Sequence, residues 1–147
     1  MSNDRRLLLS LKPRFADAIL DGSKTVELRR TRPTIKVPTD ALIYASSPRM
    51  AIIGRCRVES IGSYAPSALW EAHGHSAGVT RREFRDYFSG ADRAYALMLS
   101  GPSRFDESIQ LADIRCWWPG FVPPQSFRYL PTLGEPGFFR INEAFAA

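Results

Sequence analysis

Residues 13–31, PRFADAILDGSKTVELRRT, contain the point where a helical pattern changes into a strand pattern. A proline at the first position, apolar residues at helical spacing and a closing Gly22 predict a helix over Pro13–Asp21. From Lys24 onward, apolar and polar residues alternate with a period of two, which predicts a strand over Lys24–Thr31. This change from helix to strand indicates that both element types build the same domain.

Segments on both sides of this stretch predict the rest of a sheet. We expect strands over 5–11, 41–45, 50–61, 94–100 and 110–115, and helices over 66–72 and 80–88. Thr80 and Glu83 have the spacing of a capping box, and Gly54 indicates a bulge in its strand. Residues 117–133 are rich in proline and should wrap the surface, with one helical turn over Gln125–Tyr129. The order of elements predicts an α+β domain, a partly closed mixed or antiparallel β-barrel of five or six strands with helices packed at its rim.

Length and composition restrict the class of protein. The chain has 147 residues, 44% of them hydrophobic and 24% charged, which predicts one globular domain over 1–147 and excludes a disordered or fibrous chain. No stretch approaches the ~20 apolar residues of a membrane span, and no secretory signal is visible. The chain has only two cysteines, which predicts free thiols and a cytoplasmic location. Since it contains no CxxC and no HExxH pattern, we expect no metal and no cofactor. His73 and His75 are expected to be solvated loop residues.

The net charge of +5 favours an anionic partner. Lysine occupies only positions 12, 24 and 36, so arginine makes up the rest of the 20 basic residues. Arginine presents a planar fork that suits phosphate and stacks on bases. One cluster, formed by Arg81, Arg82 and Arg85, lies on a predicted helix and could dock on DNA or on another protein, although a solvated basic face is the ordinary interpretation.

The densest polar group lies at the change from helix to strand. Glu27 and Arg29 are two residues apart and therefore share a strand face, and Lys24 stands at the start of the strand. From the spacing alone, an exposed ion pair contributing less than ~1 kcal/mol is the plainest interpretation.

This segment resembles the GxKxxExR signature of the ASCH domain, a PUA-like family. Further resemblance to bacterial members lies in LSLKP at 9–13, YASSP at 44–48, the helix with Phe84 and the RAYA that follows at 93–96, and PPQSF at 123–127 with RYL behind it. One bacterial subgroup with these features is commonly described as transcriptional regulators. The resemblance covers about residues 6–130 and leaves 131–147 as a C-terminal extension. It implies a β-barrel with a cleft between barrel and helices, and RNA or a modified nucleoside as ligand.

The resemblance also implies which residues line the cleft. Lys24 and Arg29 would contact phosphate or a base edge, and Glu27 would accept from an exocyclic amine. Hydroxyls and backbone N–H groups of a turn, beside a basic side chain, would hold an anion, and aromatic rings would stack on unpaired bases. The candidates for the anion are Ser46, Ser47 and Arg49, and those for stacking are Tyr44, Tyr95 and Trp117, although for each aromatic residue a place in the core is the more ordinary interpretation. Lys12 and Gln125, from the matching segments, complete the set.

Two classes of function stay open on this evidence. The first is a module that binds RNA or a nucleotide, with DNA as an alternative partner. The second is a hydrolase. Some relatives hydrolyse N4-acetylcytidine with a threonine, a lysine and a glutamate. In this chain Lys24 matches the lysine, but Glu27 stands where the threonine is expected, and residues 76–79, where the glutamate is expected, contain no acid. A ribonuclease would instead use Glu27 as the base, with Lys24 and Arg29 as cations.

One geometric prediction tests whether the signature residues form a single site. Lys24 and Glu27 project to opposite faces of a regular strand, but Lys24 precedes regular pleating and has a long stem. We therefore expect its Nζ within ion-pair reach of the Glu27 carboxylate, with Arg29 on the other side of that carboxylate.

Overall fold

The architecture was obtained as a computed structural model, which describes residues 5–146. The strands are β1 (Leu7–Leu11), β2 (Val26–Arg29), β3 (Thr39–Ala45), β4 (Ala51–Tyr64), β5 (Ala94–Gln110) and β6 (Phe127–Tyr129). The helices are α1 (Pro13–Asp21), α2 (Pro66–His73), α3 (Arg81–Tyr87), α4 (Leu111–Trp117) and α5 (Phe138–Ala146), with a 3-10 turn over Gly74–Ser76. Within the described range, no helix is long and apolar enough to cross a membrane.

The six strands form one curled, mixed sheet in the order β2-β5-β4-β3-β1-β6. β1 runs parallel to β3, and the other neighbours are antiparallel. The predicted α+β class and strand number are therefore confirmed, and the barrel takes the form of a half-barrel whose edge strands are β2 and β6.

Both faces of the central strands are buried, which explains their continuous apolar runs. On one face, Leu7, Leu9 and Ile43 pack against α1. On the other face, Leu8 and Tyr44 pack against a cluster from α4, α5 and the segment between these two helices. A third cluster covers the outer face of β2 with residues of α2 and α3. Three hydrophobic clusters therefore hold the sheet against the helices.

Local sequence signals place α1 and α3 as predicted. α1 ends at Gly22, whose φ of 89° is in the left-handed region that favours glycine. α3 begins with the predicted capping box, because the Thr80 hydroxyl accepts from the Glu83 backbone N–H and the Glu83 carboxylate accepts from that of Thr80. Gly54 lies at a register shift, and a Cβ there would meet the Ser103 carbonyl at 2.6 Å, which explains the bulge predicted for it.

Three predictions about the second half of the chain are wrong. The strand predicted over 110–115 is wrong: Gln110 ends β5 and residues 111–115 belong to α4, because Leu111 and Ile114 lie on the same face of a helix and are both buried. The helical turn expected over Gln125–Tyr129 is replaced by β6, which pairs with β1. β5 continues ten residues beyond the predicted 94–100, since its polar second half pairs along β4.

Candidate functional site

Lys24, Glu27 and Arg29 form a buried ionic triad between α1 and β2. Lys24 Nζ lies 3.1 Å from Glu27 Oε1, and Arg29 Nη2 lies 2.9 Å from Glu27 Oε2. The three residues are only 3%, 4% and 7% exposed. The predicted contact between Lys24 and Glu27 is confirmed, and the exposed ion pair suggested by spacing alone is wrong.

The ammonium group of Lys24 has a partner for each of its three protons. It donates to the carbonyls of Val26, at 2.9 Å, and of Ala77, in addition to the Glu27 carboxylate. Its stem lies against Gly78, where a Cβ would come within 3.1 Å of it. Lys24 therefore holds the turn after the 3-10 element against the start of β2.

Arg29 connects the triad to the segment that precedes β6. Its Nη2 donates to the Ser126 carbonyl at 3.1 Å, and this carbonyl also accepts from the Ser10 N–H at 2.9 Å. Arg29 Nε is buried and has no hydrogen-bond partner among residues 5–146. No sequence pattern indicates the roles of the Ala77 and Ser126 carbonyls, because any residue type supplies a carbonyl.

Two cavities meet at the end of β1, where they share Ser10, Leu11, Lys12 and Gln125. The first, which we call the motif lobe, has a volume of about 400 Å³ and contains the triad and residues of α3. The second, the tyrosine lobe, has a volume of about 480 Å³ and is lined by Tyr44, the turn after β3 and the prolines at 123 and 124. Together they form the cleft between sheet and helices.

The charge of this cleft is unevenly distributed. Glu27, Glu83 and Asp86 line the motif lobe beside Lys12, Lys24 and Arg29, so acidic and basic groups are balanced there. Hydrogen bonding from the Thr80 backbone N–H and the Arg14 guanidinium lowers the pKa of Glu83. The tyrosine lobe has Lys12 as its one charged lining residue among those described. Acidic and basic groups therefore balance in the motif lobe, and Lys12 gives the tyrosine lobe a positive charge.

Most predicted ligand-binding residues border one lobe or the other. Lys24, Glu27 and Arg29 line the motif lobe, Tyr44, Ser46 and Ser47 line the tyrosine lobe, and Lys12 and Gln125 line both. Arg49 and Tyr95 line neither. Arg49 is paired with Asp17 at 3.4 Å, and Tyr95 stands opposite Arg29 in the β2–β5 register. Sequence reasoning missed Met50, which borders the tyrosine lobe and is 42% exposed.

The aromatic residues differ from their predicted stacking role. Tyr44 is 1% exposed, and the edge contact with Phe121, at a centroid distance of 6.4 Å, helps to cover its ring. No face of that ring is free for a base, although the residue borders the tyrosine lobe. Burial raises the pKa of Tyr44 above its usual value, and the charge of Arg115 opposes this shift. Trp117 packs near α5 and lies outside both lobes.

Among residues 5–146, no group of three or more His, Cys, Asp or Glu side chains is placed to hold a metal ion. His73 ends α2 and contacts the Tyr64 hydroxyl through Nε2 at 3.1 Å, so it is not a solvated loop residue, whereas His75 is exposed. Thr25, the residue after the buried Lys24, is exposed.

Comparison with known proteins gives concordant matches. The family model described as "ASCH domain" matches residues 9–109. An ASCH domain-containing ribonuclease of Zymomonas mobilis is 37% identical over 128 residues, which cover 86% of this chain and 84% of that protein. The large ribosomal subunit protein uL22 of Ureaplasma parvum is 26% identical over 125 residues, which cover 84% of this chain and 39% of that protein.

Solved structures match the fold as well. The crystal structure of ASCH from Zymomonas mobilis has a TM-score of 0.83 at 34% identity, covering 86% of this chain and 88% of that one. A point mutant of the same protein gives a TM-score of 0.84 at 32% identity, with coverages of 88% and 91%. This agreement includes the curled six-stranded sheet and confirms the PUA-like α+β fold.

Proposed function

Because this chain belongs to the ASCH domain family, we propose that it is an enzyme that binds single-stranded RNA in the tyrosine lobe and cleaves it there. The similarity to a Zymomonas protein named as a ribonuclease supports an RNA substrate. The observation that carries the assignment to this lobe is that the exposed Lys12 and the tyrosine Tyr44 line the same cavity.

The buried triad supports the site rather than performing the reaction. Lys24 has no proton donor left for a ligand, and each oxygen of Glu27 already faces a cation. A 2′-hydroxyl would have to displace Lys24 or Arg29 to reach an oxygen of this carboxylate. We assign to Lys24, Glu27 and Arg29 the task of holding β2, the 77–78 turn and residue 126 in register around the cleft. This replaces the catalytic role that the sequence suggested for Lys24 and Glu27.

The tyrosine lobe offers two groups that strand cleavage needs. Attack of the 2′-oxygen on phosphorus places additional negative charge on the phosphoryl oxygens, and the Lys12 ammonium would stabilise that charge. The 2′-hydroxyl proton would pass to solvent water, the Tyr44 hydroxyl would donate its proton to the departing 5′-oxygen, and the resulting phenolate would be reprotonated from water. Burial raises the pKa of Tyr44, so the hydroxyl stays protonated well above neutral pH. Ser46 and Ser47, on the turn after β3, would hold a neighbouring phosphate, and Gln125 would contact a base edge.

The test is cleavage of an end-labelled single-stranded RNA, with a DNA of the same sequence as control. We expect cleavage of RNA only, with products ending in a cyclic phosphate, because the 2′-oxygen is the nucleophile. Lys12→Ala and Tyr44→Phe should each lower the rate, while Lys36→Ala, an exposed lysine outside the cleft, should not. RNA binding without cleavage by the wild type would overturn the enzymatic proposal and leave a binding module.

A hydrolase acting on N4-acetylcytidine is the less favoured alternative. Lys24 is buried with its donors occupied, whereas Thr25, the residue after it, is exposed. Release of acetate from that nucleoside by the wild type would reverse this preference.

A further inference from the structure

A third cavity, outside the cleft, lies at the free edge of the sheet beside β6. Its volume is about 400 Å³, and residues of the segment 118–136 line it together with Arg5. Two arginines border it, Arg5 and Arg128, and neither belongs to the ionic triad or to the tyrosine lobe. We call it the edge cavity.

The guanidinium group of Arg128 is oriented by aromatic rings and has no polar partner within the described part of the chain. It lies 4.4 Å from the Trp118 ring centroid and 5.4 Å from that of Phe121. Residues 5–146 offer it no hydrogen bond and no carboxylate. Burial lowers the pKa of Arg128, as expected for a cation that is partly removed from water. The guanidinium is only half-buried, so its N–H groups can reach an anionic ligand that enters the cavity.

The acid in this cavity does not neutralise Arg128. Glu135 Oε1 accepts from the Thr132 backbone N–H at 2.6 Å and from the Thr132 hydroxyl at 2.7 Å. The charge that acts on its carboxylate is that of Arg5, whose guanidinium lies 4.4 Å from the Tyr129 ring centroid. The planar fork of Arg128 is therefore available for two parallel hydrogen bonds to a phosphate.

A row of aromatic contacts connects the edge cavity with the tyrosine lobe. Trp118 carries Arg128 on its face and packs on Phe121 at 4.7 Å, and Phe121 packs on Tyr44 at 6.4 Å. Tyr44 in turn borders the tyrosine lobe. These rings are buried, so they fix the two cavities relative to each other without forming a surface path. Gln125 borders the tyrosine lobe and Arg128 the edge cavity, and three residues span at most ~11 Å, so one RNA strand would be long enough to place phosphates at both.

We propose that the edge cavity is a second phosphate-binding subsite, in which Arg128 holds a backbone phosphodiester of the RNA away from the bond that is cleaved. This inference rests on the proposed function. It assigns Arg128 to substrate binding, with no part in the chemistry, and it predicts that longer RNAs bind more tightly than a dinucleotide.

Binding of a fluorescently labelled single-stranded RNA, measured over a series of salt concentrations, tests the proposal. Arg128→Met preserves an apolar stem over Trp118 but removes the charge. We expect it to weaken binding about tenfold or more at low salt and to reduce the slope of log K against log salt by about 0.7, the value for one lost phosphate contact. Arg128→Lys should retain the slope. Arg140→Met, on α5 and paired with Glu143 at 3.4 Å, is the matched control and should change neither quantity.

Cleavage assays separate this inference from the proposed function. Cleavage of a dinucleotide, which has one phosphate, should be equal in the wild type and in Arg128→Met, whereas cleavage of a long RNA at subsaturating concentration should fall. An unchanged salt slope in a folded Arg128→Met variant would overturn the subsite and leave the ribonuclease proposal standing. A reduced slope without any cleavage by the wild type would overturn the ribonuclease proposal alone. If Arg128→Met fails to fold, loss of the slope in Arg128→Lys overturns the subsite, because that variant keeps the charge.

Discussion

The Lys24 ammonium group lies 3.1 Å from the Glu27 carboxylate, although residues three apart on a regular strand project to opposite faces. The contact exists because Lys24 lies before β2, which begins at Val26. The Lys24 stem therefore does not follow the alternation of the strand, and it packs against Gly78. The signature spacing is therefore explained by the junction between α1 and β2 rather than by strand geometry.

Breaking this triad should destabilise the whole domain. Lys24→Met leaves Glu27 with a single cation in a buried site, and Glu27→Gln leaves two buried cations without an anion. We expect each to lower the free energy of unfolding by about 3–5 kcal/mol, measured by urea denaturation. The double variant should lose less than the sum, since the two residues share one interaction. Lys12→Met, at an exposed neighbouring lysine, should have almost no effect on stability.

Two glycines with similar backbone conformations test how closely Lys24 is packed, because only Gly78 lies against its stem. Gly78 has a φ of 69°, and a Cβ there would meet the Lys24 stem at 3.1–3.3 Å. Gly90 has a φ of 79° with open space around the same position. Gly90→Ala should therefore cost about 1 kcal/mol for the backbone alone, and Gly78→Ala about 1 kcal/mol more. Equal losses in thermal unfolding would contradict the close contact between the turn and Lys24.

The chain up to the end of α3 was more predictable than the part that follows it, for physical reasons. α1 has a proline start and a glycine stop, and the α3 capping box is specified by Thr80 and Glu83, so local signals fix both helices. The second half of β5 contains mostly exposed polar residues, and it is a strand because β4 lies beside it. β6 has three residues, too few for any pattern, and its pairing with β1 depends on tertiary contacts.

The candidate site shows the same division. Side chains with a distinctive type and spacing, Lys24, Glu27 and Arg29, were found from the sequence. The burial of Tyr44 and the stacking of Arg128 on Trp118 depend on residues that are far apart in the chain, so no local sequence pattern predicts them. The charge balance of the motif lobe was missed for the same reason, since Glu83 and Asp86 come from α3.

The buried thiol of Cys56 should make stability depend on alkaline pH. Burial, followed by the negative charges of Glu27 and Asp40, raises the pKa of this thiol from 9 to about 12. The folded state therefore favours the neutral thiol, and this contribution is complete below pH 9 and is lost as the pH rises from about 9 through about 12. Cys56→Val should lose less stability than the wild type between pH 8 and pH 11, whereas Cys116→Val, at the exposed cysteine, should follow the wild type.

Tyr44 should separate catalysis from folding. Tyr44→Phe keeps the ring in contact with Phe121, and the hydroxyl has no hydrogen bond to protein within residues 5–146, so the unfolding midpoint should change little. If the hydroxyl protonates the leaving oxygen, the cleavage rate should fall by about 10²–10⁴ with a smaller change in RNA affinity. Because burial raises the pKa of Tyr44 above its ordinary value of 10, the wild-type rate should hold through neutral pH and decline only at strongly alkaline pH. That alkaline decline should be absent from the residual activity of Tyr44→Phe, and a Tyr44→Phe enzyme as fast as the wild type would remove this tyrosine from the mechanism.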